Sequence, residues 1–268
     1  MILAGFLGCG NMGGALAAAA AKQVGGQHIL TADHNPEKLE RLRQEHGTVP
    51  VSAGELATRS PLLFLGVKPQ VLRQAAEELR PALAARQDRF VVVTMAAGVP
   101  LSTVSALLGD CPVIRIMPNT PVSVGAGAIP YCCGPGVTAE DEAAFRALLG
   151  GAGLLLPMPE SKIDAACALS GCGPAFVCLV LEALADGGVL CGLTRREAEL
   201  LAAQTLLGTA KLAMESGTDP AALRAAVCSP GGSTIAGVRA LEQRAVRGAV
   251  MDAVAAAYQR TLELKARS

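Results

Sequence analysis

A strand-length apolar run, Ala4-Gly5-Phe6-Leu7, leads directly into Gly8-Cys9-Gly10-Asn11-Met12-Gly13-Gly14 and then into an alanine-rich stretch over 14–21. This GxGxxG spacing between a strand and a helix limits the fold more than any other feature of the chain. Gly8 permits a tight turn, Gly10 lets a pyrophosphate reach the backbone, and Gly13 lets the helix pack closely on the sheet. Amides at the helix start meet the phosphate charge. A lone GxGxxG can be a plain glycine-rich turn, but here the strand, the helix and a downstream acid agree. The acid is Asp33, about 20 residues past Gly13, where a carboxylate accepts hydrogen bonds from an adenosine ribose. That favours NADH. His34, Asn35 and Lys38 follow on a turn and helix start that could equally receive a 2′-phosphate, so both NADPH and NADH stay open.

Residues 2 to about 155 alternate apolar runs with amphipathic stretches, the βαβα pattern of a parallel sheet covered by helices. The expected strands are 2–7, 28–33, 62–66, 90–94, 112–116 and 153–157. Pro36 opens a crossover helix, with apolar residues at helical spacing after it. From Met117 to Val137 no residue is charged and Gly, Pro, Ser and Thr are frequent, which reads as loops. After Pro159 strand signals fade, and Ala/Leu-rich helices are expected over roughly 164–191, 195–216, 219–227, 233–243 and 246–264. Gly192-Leu193-Thr194 ends one helix and caps the next, and Thr218-Asp219-Pro220 starts another. The expected fold is therefore an α/β Rossmann-type dinucleotide-binding domain over 1–159, then an all-α domain over 160–268. So many apolar helix faces exceed what one copy can bury, which points to a homo-oligomer interface.

Hydrophobic residues make up 51% of the 268 and charged ones 17%, which excludes a disordered chain. Lys+Arg and Asp+Glu balance at 23 each, so the basic footprint that nucleic acids or acidic membranes require is missing. Met1 runs into an apolar strand with no basic n-region or cleavage site, which fits a cytoplasmic protein without a signal peptide. The uncharged stretch 165–181 is shorter than the roughly 20 residues of a membrane span and contains Ser170, Gly171, Gly173 and Pro174, so a buried helix is expected. The nine cysteines show no CxxC or Cys/His spacing for zinc, so no metal site is expected and the thiols read as reduced and buried. A vicinal Cys132–Cys133 disulfide is the minor alternative.

Two further groups of residues suggest a ligand crevice. Gly66-Val67-Lys68-Pro69 and Ala96-Ala97-Gly98 end apolar runs with small residues, so they emerge at the carboxyl edge of the sheet, where ligands of such folds lie. Further on, Val227-Cys228-Ser229-Pro230-Gly231-Gly232-Ser233-Thr234 joins two helices. Pro230 breaks the first, Gly231 and Gly232 expose amides, and Ser233 or Thr234 can cap the second. Such a helix start suits a carboxylate, although an ordinary glycine-rich turn would look similar.

With these motifs in place the chain resembles the pyrroline-5-carboxylate reductases, which reduce a cyclic imino acid to proline with NAD(P)H. The resemblance runs end to end. It includes the glycine fingerprint, Val67-Lys68-Pro69, Ala96-Ala97-Gly98, Arg115-Ile116-Met117-Pro118-Asn119-Thr120-Pro121, Leu169-Ser170-Gly171-Cys172-Gly173-Pro174-Ala175-Phe176, and a signature from Pro220 to Glu242. It implies that Gly8, Cys9, Gly10, Asn11, Met12 and Gly13, with Gly66 to Pro69, Ala96 to Gly98 and nearby Asn119, contact the dinucleotide. It also implies that Ser229, Gly231, Gly232, Ser233 and Thr234 hold the substrate, and that the helical domain forms an intertwined homodimer, often assembled into a decamer. Three departures stand out. Ala32-Asp33-His34 replaces the phosphate-friendly Ser-Asn-Arg type of sequence, Cys172 replaces a serine, and Cys228 stands where Ser or Thr is common.

The chemistry fits this resemblance. A ketone reductase needs an acid for the developing alkoxide. A cyclic iminium arrives protonated, so orientation and a hydrogen-bond acceptor suffice. The segment 229–234 has hydroxyls and no titratable group, and Thr234 is the expected catalytic residue, accepting from the iminium N–H. His28, His34 and His46 all fall early in the first domain, and Lys211 reads as a solvated helix residue.

Overall fold

The computed structural model describes residues 1–265. Its first compact unit comprises Met1–Cys172 together with residues 257–265, and its second is Gly173–Ala256. In the first, β1 (Ala4–Leu7), α1 (Asn11–Val24), β2 (Ile29–Ala32), α2 (Pro36–His46), β3 (Val49–Pro50), α3 (Ala53–Arg59), β4 (Leu62–Leu65), α4 (Leu72–Ala84), β5 (Val91–Thr94), α5 (Leu101–Leu108) and β6 (Val113–Ile116) alternate regularly. β7 (Gly127–Cys133), α6 (Ala139–Leu149), β8 (Gly153–Pro157) and α7 (Glu160–Ala166) complete the unit before the helical array. The sheet order is β3-β2-β1-β4-β5-β6-β7-β8, parallel except where β7 runs antiparallel to β6. The order reverses between β1 and β4, which is the topological switch point of a doubly wound fold.

The central strands are apolar but for Thr31, Thr94 and Arg115, because helices cover both faces. Every residue of β1, β2, β4, β5 and β6 is buried. Phe6 and Phe64 are register partners on β1 and β4, and their rings stack with centroids 4.3 Å apart. That pair contributes about 0.5–1.5 kcal/mol beyond its burial. It also locks the two strands whose ends carry Gly8 and Gly66. Asn35 caps α2 by accepting from the Glu37 amide, and Pro36 stands at the helix start as expected.

β7 corrects the expectation of loops over 117–137. Its residues lack the β-branched run that marks a strand, yet Ile129 and Tyr131 alternate onto one buried face and pair with Leu155 and Pro157 of β8. The helix expected over 164–191 is also interrupted. α7 passes into a π-helical turn at Cys167–Gly171, closed by the Cys172 amide on the Cys167 carbonyl at 3.1 Å, before α8 (Gly173–Leu190) begins.

The second unit contains α8, α9 (Arg195–Ser216), α10 (Pro220–Ala226), α11 (Ser233–Gln243) and most of α12 (Val246–Lys265). Thr194 and Glu197 form a capping box that starts α9. α8 and α9 meet through small residues, with Ala185, Ala198 and Ala202 buried and Leu181 and Val189 partly so. The expectation that this apolar helix is buried fails for a single copy. Ala185 is the one buried residue of α8, while Val177, Leu179, Val180, Leu184 and Leu190 are exposed. By length and composition alone, Glu160–Leu190 is apolar enough to cross a membrane.

Candidate functional site

Register places the turns predicted to bind a dinucleotide side by side. Leu7 pairs with both Ala32 and Leu65, and Leu65 pairs with Thr94, so the residues that follow β1, β2, β4 and β5 emerge at one level of the carboxyl edge. Gly8, Asp33, Gly66 and the Ala96–Gly98 turn share that edge. Gly8 has a φ of +87°, and a Cβ there would stand 2.9 Å from the Gly66 backbone. A Cβ on Gly13 or on Gly66 would run into the Gly8 carbonyl oxygen. These three glycines therefore allow three backbone segments to touch. Gly10 differs, since a Cβ there would meet nothing within 4 Å.

Gly10 is also the uncapped start of α1, with no side chain among the described residues satisfying the first amides. The first intrahelical bond runs from the Gly14 amide to the Gly10 carbonyl at 2.8 Å, which leaves the amides of Asn11, Met12 and Gly13 before it. An open approach at Gly10 and free amides at a helix N-terminus are what a pyrophosphate needs. Asn11 is exposed and Met12 half-buried.

Asp33 stands at the end of β2 as expected, but its carboxylate faces the protein. Oδ2 accepts the Cys9 amide at 2.7 Å and Oδ1 accepts the Asn35 amide at 2.9 Å, with the side chain 3% exposed. Lys38 Nζ lies 3.7 Å and His34 Nδ1 3.4 Å from Oδ1, and the His34 side chain is 94% exposed. Asp33 thus braces the glycine loop, with Lys38 as the nearby cation and the His34 ring in solvent. Cys9 offers the site only its backbone. Burial, with Asp33 adding to it, pushes its thiol up to about 12, and Sγ is 3.8 Å from the carbonyls of Phe6 and Ala32.

Lys68 is exposed beside half-buried Val67 and Pro69; Ala96 and Gly98 are buried and Ala97 is exposed. Asn119 uses its side chain internally. It accepts the Ala128 amide at 2.8 Å and donates to the Ser170 carbonyl in the π-helical turn at 3.0 Å. All nine cysteines are free, and burial raises Cys132 and Cys133 to about 11. Lys211 pairs with Glu215 on an exposed surface.

In the second unit, the turn before α11 is built by Gly231, at φ +69°, and by the Gly232 amide donating to the Ser229 carbonyl at 3.1 Å. The sequence suggested Ser233 or Thr234 as the helix cap; the structure makes Gly232 the cap, so both hydroxyl residues fall in the first helical turn. Among the described residues no side chain caps this end, and Ser229, Ser233 and Thr234 are exposed. A Cβ on Gly232 would displace the Ser229 hydroxyl and stand 3.2 Å from the Ser229 carbonyl oxygen, so the two residues approach closely.

Sequence reasoning missed one cluster in the first unit. Arg115, fully buried on β6, donates to Asp164 Oδ1 at 2.6 Å and reaches Glu160 Oε1 at 3.4 Å, while Lys265 Nζ donates to Asp164 Oδ2 at 2.7 Å. The available signal was an arginine inside the apolar strand Val-Ile-Arg-Ile.

A doubly wound sheet with an open glycine cradle at its switch point, in a chain that continues as helices with unpaired apolar faces, defines a dinucleotide-dependent oxidoreductase with an oligomerising helical domain. Comparison with known proteins narrows the class. Residues 160–264 match the family model for pyrroline-5-carboxylate reductase dimerisation, and residues 4–98 match a model described as NADP oxidoreductase coenzyme F420-dependent. A pyrroline-5-carboxylate reductase of Synechocystis is 40% identical over 263 residues, which is 97% of either chain. The structure of such a reductase from Coxiella burnetii superposes with a TM-score of 0.89 at 31% identity, covering 97% of both chains. That from Plasmodium falciparum, solved with NADP bound, gives 0.85 at 28% identity and the same coverage. The chain belongs to the pyrroline-5-carboxylate reductase family.

Proposed function

We propose that the protein reduces 1-pyrroline-5-carboxylate to proline with NADPH or NADH. The observation that carries this reading is the uncapped, hydroxyl-bearing start of α11, which offers a carboxylate its amides and offers the ring no acid. In this reading residues 1–159 hold the dinucleotide and 160–268 form the dimerisation and substrate domain. The pyrophosphate would lie on the amides from Gly10 to Gly13, and the nicotinamide half would lie along Gly66–Pro69 and Ala96–Gly98. Bound NAD(P)H supplies the hydride.

The residues of the chain bind and orient the substrate. Ser229 and the amides of Gly232 and Ser233 fix the substrate carboxylate, with Gly231 setting the backbone turn, and the Thr234 hydroxyl accepts a hydrogen bond from the iminium N–H. Hydride adds to the C=N carbon, the π electron pair collapses onto nitrogen, and the N–H proton stays in place. No side-chain acid is consumed. The exposed apolar faces of α8 and α9 fit burial in an intertwined homodimer, which could assemble further into a decamer of cytoplasmic enzyme.

The test is kcat/KM for pyrroline-5-carboxylate, its six-membered homologue and small hydroxyacids, each with NADPH and NADH. A marked preference for the five-membered imine supports the reading, and turnover of hydroxyacids alone overturns it.

A further inference from the structure

The cluster around Asp164 joins distant segments next to the Ala96–Gly98 turn. Asp164 and Glu160 lie on α7, Arg115 on β6, and Lys265 in the last turn of α12, a residue 101 positions from its partner Asp164. Two acids face two bases. Glu160 Oε1 also accepts the amide of Leu101, the first residue of α5, at 2.7 Å. The turn is therefore pinned at its downstream end by the same carboxylate that meets Arg115.

Lys265 lies against the last residue of the turn. Gly98 has a φ of +76°, and a Cβ on it would stand 3.4 Å from the Lys265 Cα, so the backbone of α12 packs against this glycine. Lys265 also lines, with Pro69, Gly98, Val99 and Pro100, a groove of about 620 Å³ that borders both the β4 and the β5 turns. Its side chain is 39% exposed while that of Asp164 is 5% exposed, so the pair lies at the rim of the buried cluster. The bond to Asp164 sets where the last turn of α12 rests.

We propose that Lys265 is a positioning residue for the dinucleotide: by closing onto Asp164 it seats α12 against Gly98 and holds the Ala96–Gly98 turn in the shape that receives the nicotinamide half. This rests on assigning that turn to the dinucleotide. The substrate cradle on α11 does not enter the argument.

The test is NADPH affinity, read by nicotinamide fluorescence on the full-length protein without turnover, for wild type, Lys265→Gln and Lys265→Arg. Lys265→Gln should raise Kd about three-fold or more, on the scale of a partly exposed ion pair. Lys265→Arg keeps the charge and should bring Kd back toward wild type, with sedimentation unchanged in both. A Kd for Lys265→Gln equal to wild type overturns the proposal, as does an equal rise in both variants. A wild type that binds no dinucleotide would instead overturn the underlying assignment of the turn.

Discussion

The Asp33 carboxylate accepts the Cys9 amide at 2.7 Å, which makes the end of β2 and the glycine loop after β1 a single hydrogen-bonded unit. Its other oxygen accepts the Asn35 amide, so both oxygens also hold backbone. Asp33→Ala should therefore weaken NADPH and NADH binding together, by about ten-fold, as expected for lost hydrogen bonds to a charged group. Fluorescence titration of both dinucleotides decides the point. Weaker NADH binding with stronger NADPH binding would show that the carboxylate reads the ribose after all.

Thr234 lies in the first turn of an uncapped helix and is exposed within one copy. If its hydroxyl accepts from the iminium, Thr234→Ala should lower kcat/KM for the imine by about ten-fold or more, with dinucleotide affinity unchanged. Thr234→Ser keeps the oxygen and should retain most of the activity. Unchanged kcat/KM in the alanine variant removes Thr234 from the mechanism.

Much of this site was legible in the sequence because the responsible interactions are local. Gly8, Gly10 and Gly13 are set by the strand-to-helix turn itself, and Asn35-Pro36 announces α2 by cap chemistry. The missed parts depend on distant partners. β7 pairs through Ile129 and Tyr131 with β8, but its Gly and Pro residues mimic a loop. The carboxylate of Asp33 was correctly placed at the strand end, yet its direction is set by an amide 24 residues away. Arg115 and Asp164 are 49 residues apart, and no local pattern predicts that they meet.

Leu200 and Leu207 on α9 are about 60% exposed and lie two turns apart on one helix face. Burying such leucines is worth about 1.5–3 kcal/mol each, so a homo-oligomer that covers this face should dissociate when they are charged. Sedimentation equilibrium at micromolar concentration should show wild type as a dimer or larger and the Leu200→Glu/Leu207→Glu variant shifted toward monomer. A monomeric wild type would rule out the oligomer reading.

Asp164 links the same buried cluster to pH. Burial alone would raise its carboxyl pKa, but the hydrogen bonds from Lys265 and Arg115 outweigh this and hold it below the ordinary carboxylate value. A folded-state pKa below the unfolded one means that the group's stabilisation is complete above the unfolded value of about 3.9 and is lost as pH falls through the lowered folded value. Melting temperature should then be insensitive to this group from pH 5 to 8 and should fall below about pH 4. Asp164→Asn keeps the shape but leaves the fully buried Arg115, among the described residues, with only Glu160 at 3.4 Å as an anionic partner. Removing one partner of a buried pair costs about 3–5 kcal/mol, and Glu160 should bring the loss toward the lower end. At pH 7 the variant should melt several degrees below wild type, and the gap should narrow below pH 4 as wild-type Asp164 itself becomes neutral. An Asp164→Asn protein with wild-type melting at pH 7 would show that the cluster holds neither β6 nor the end of α12.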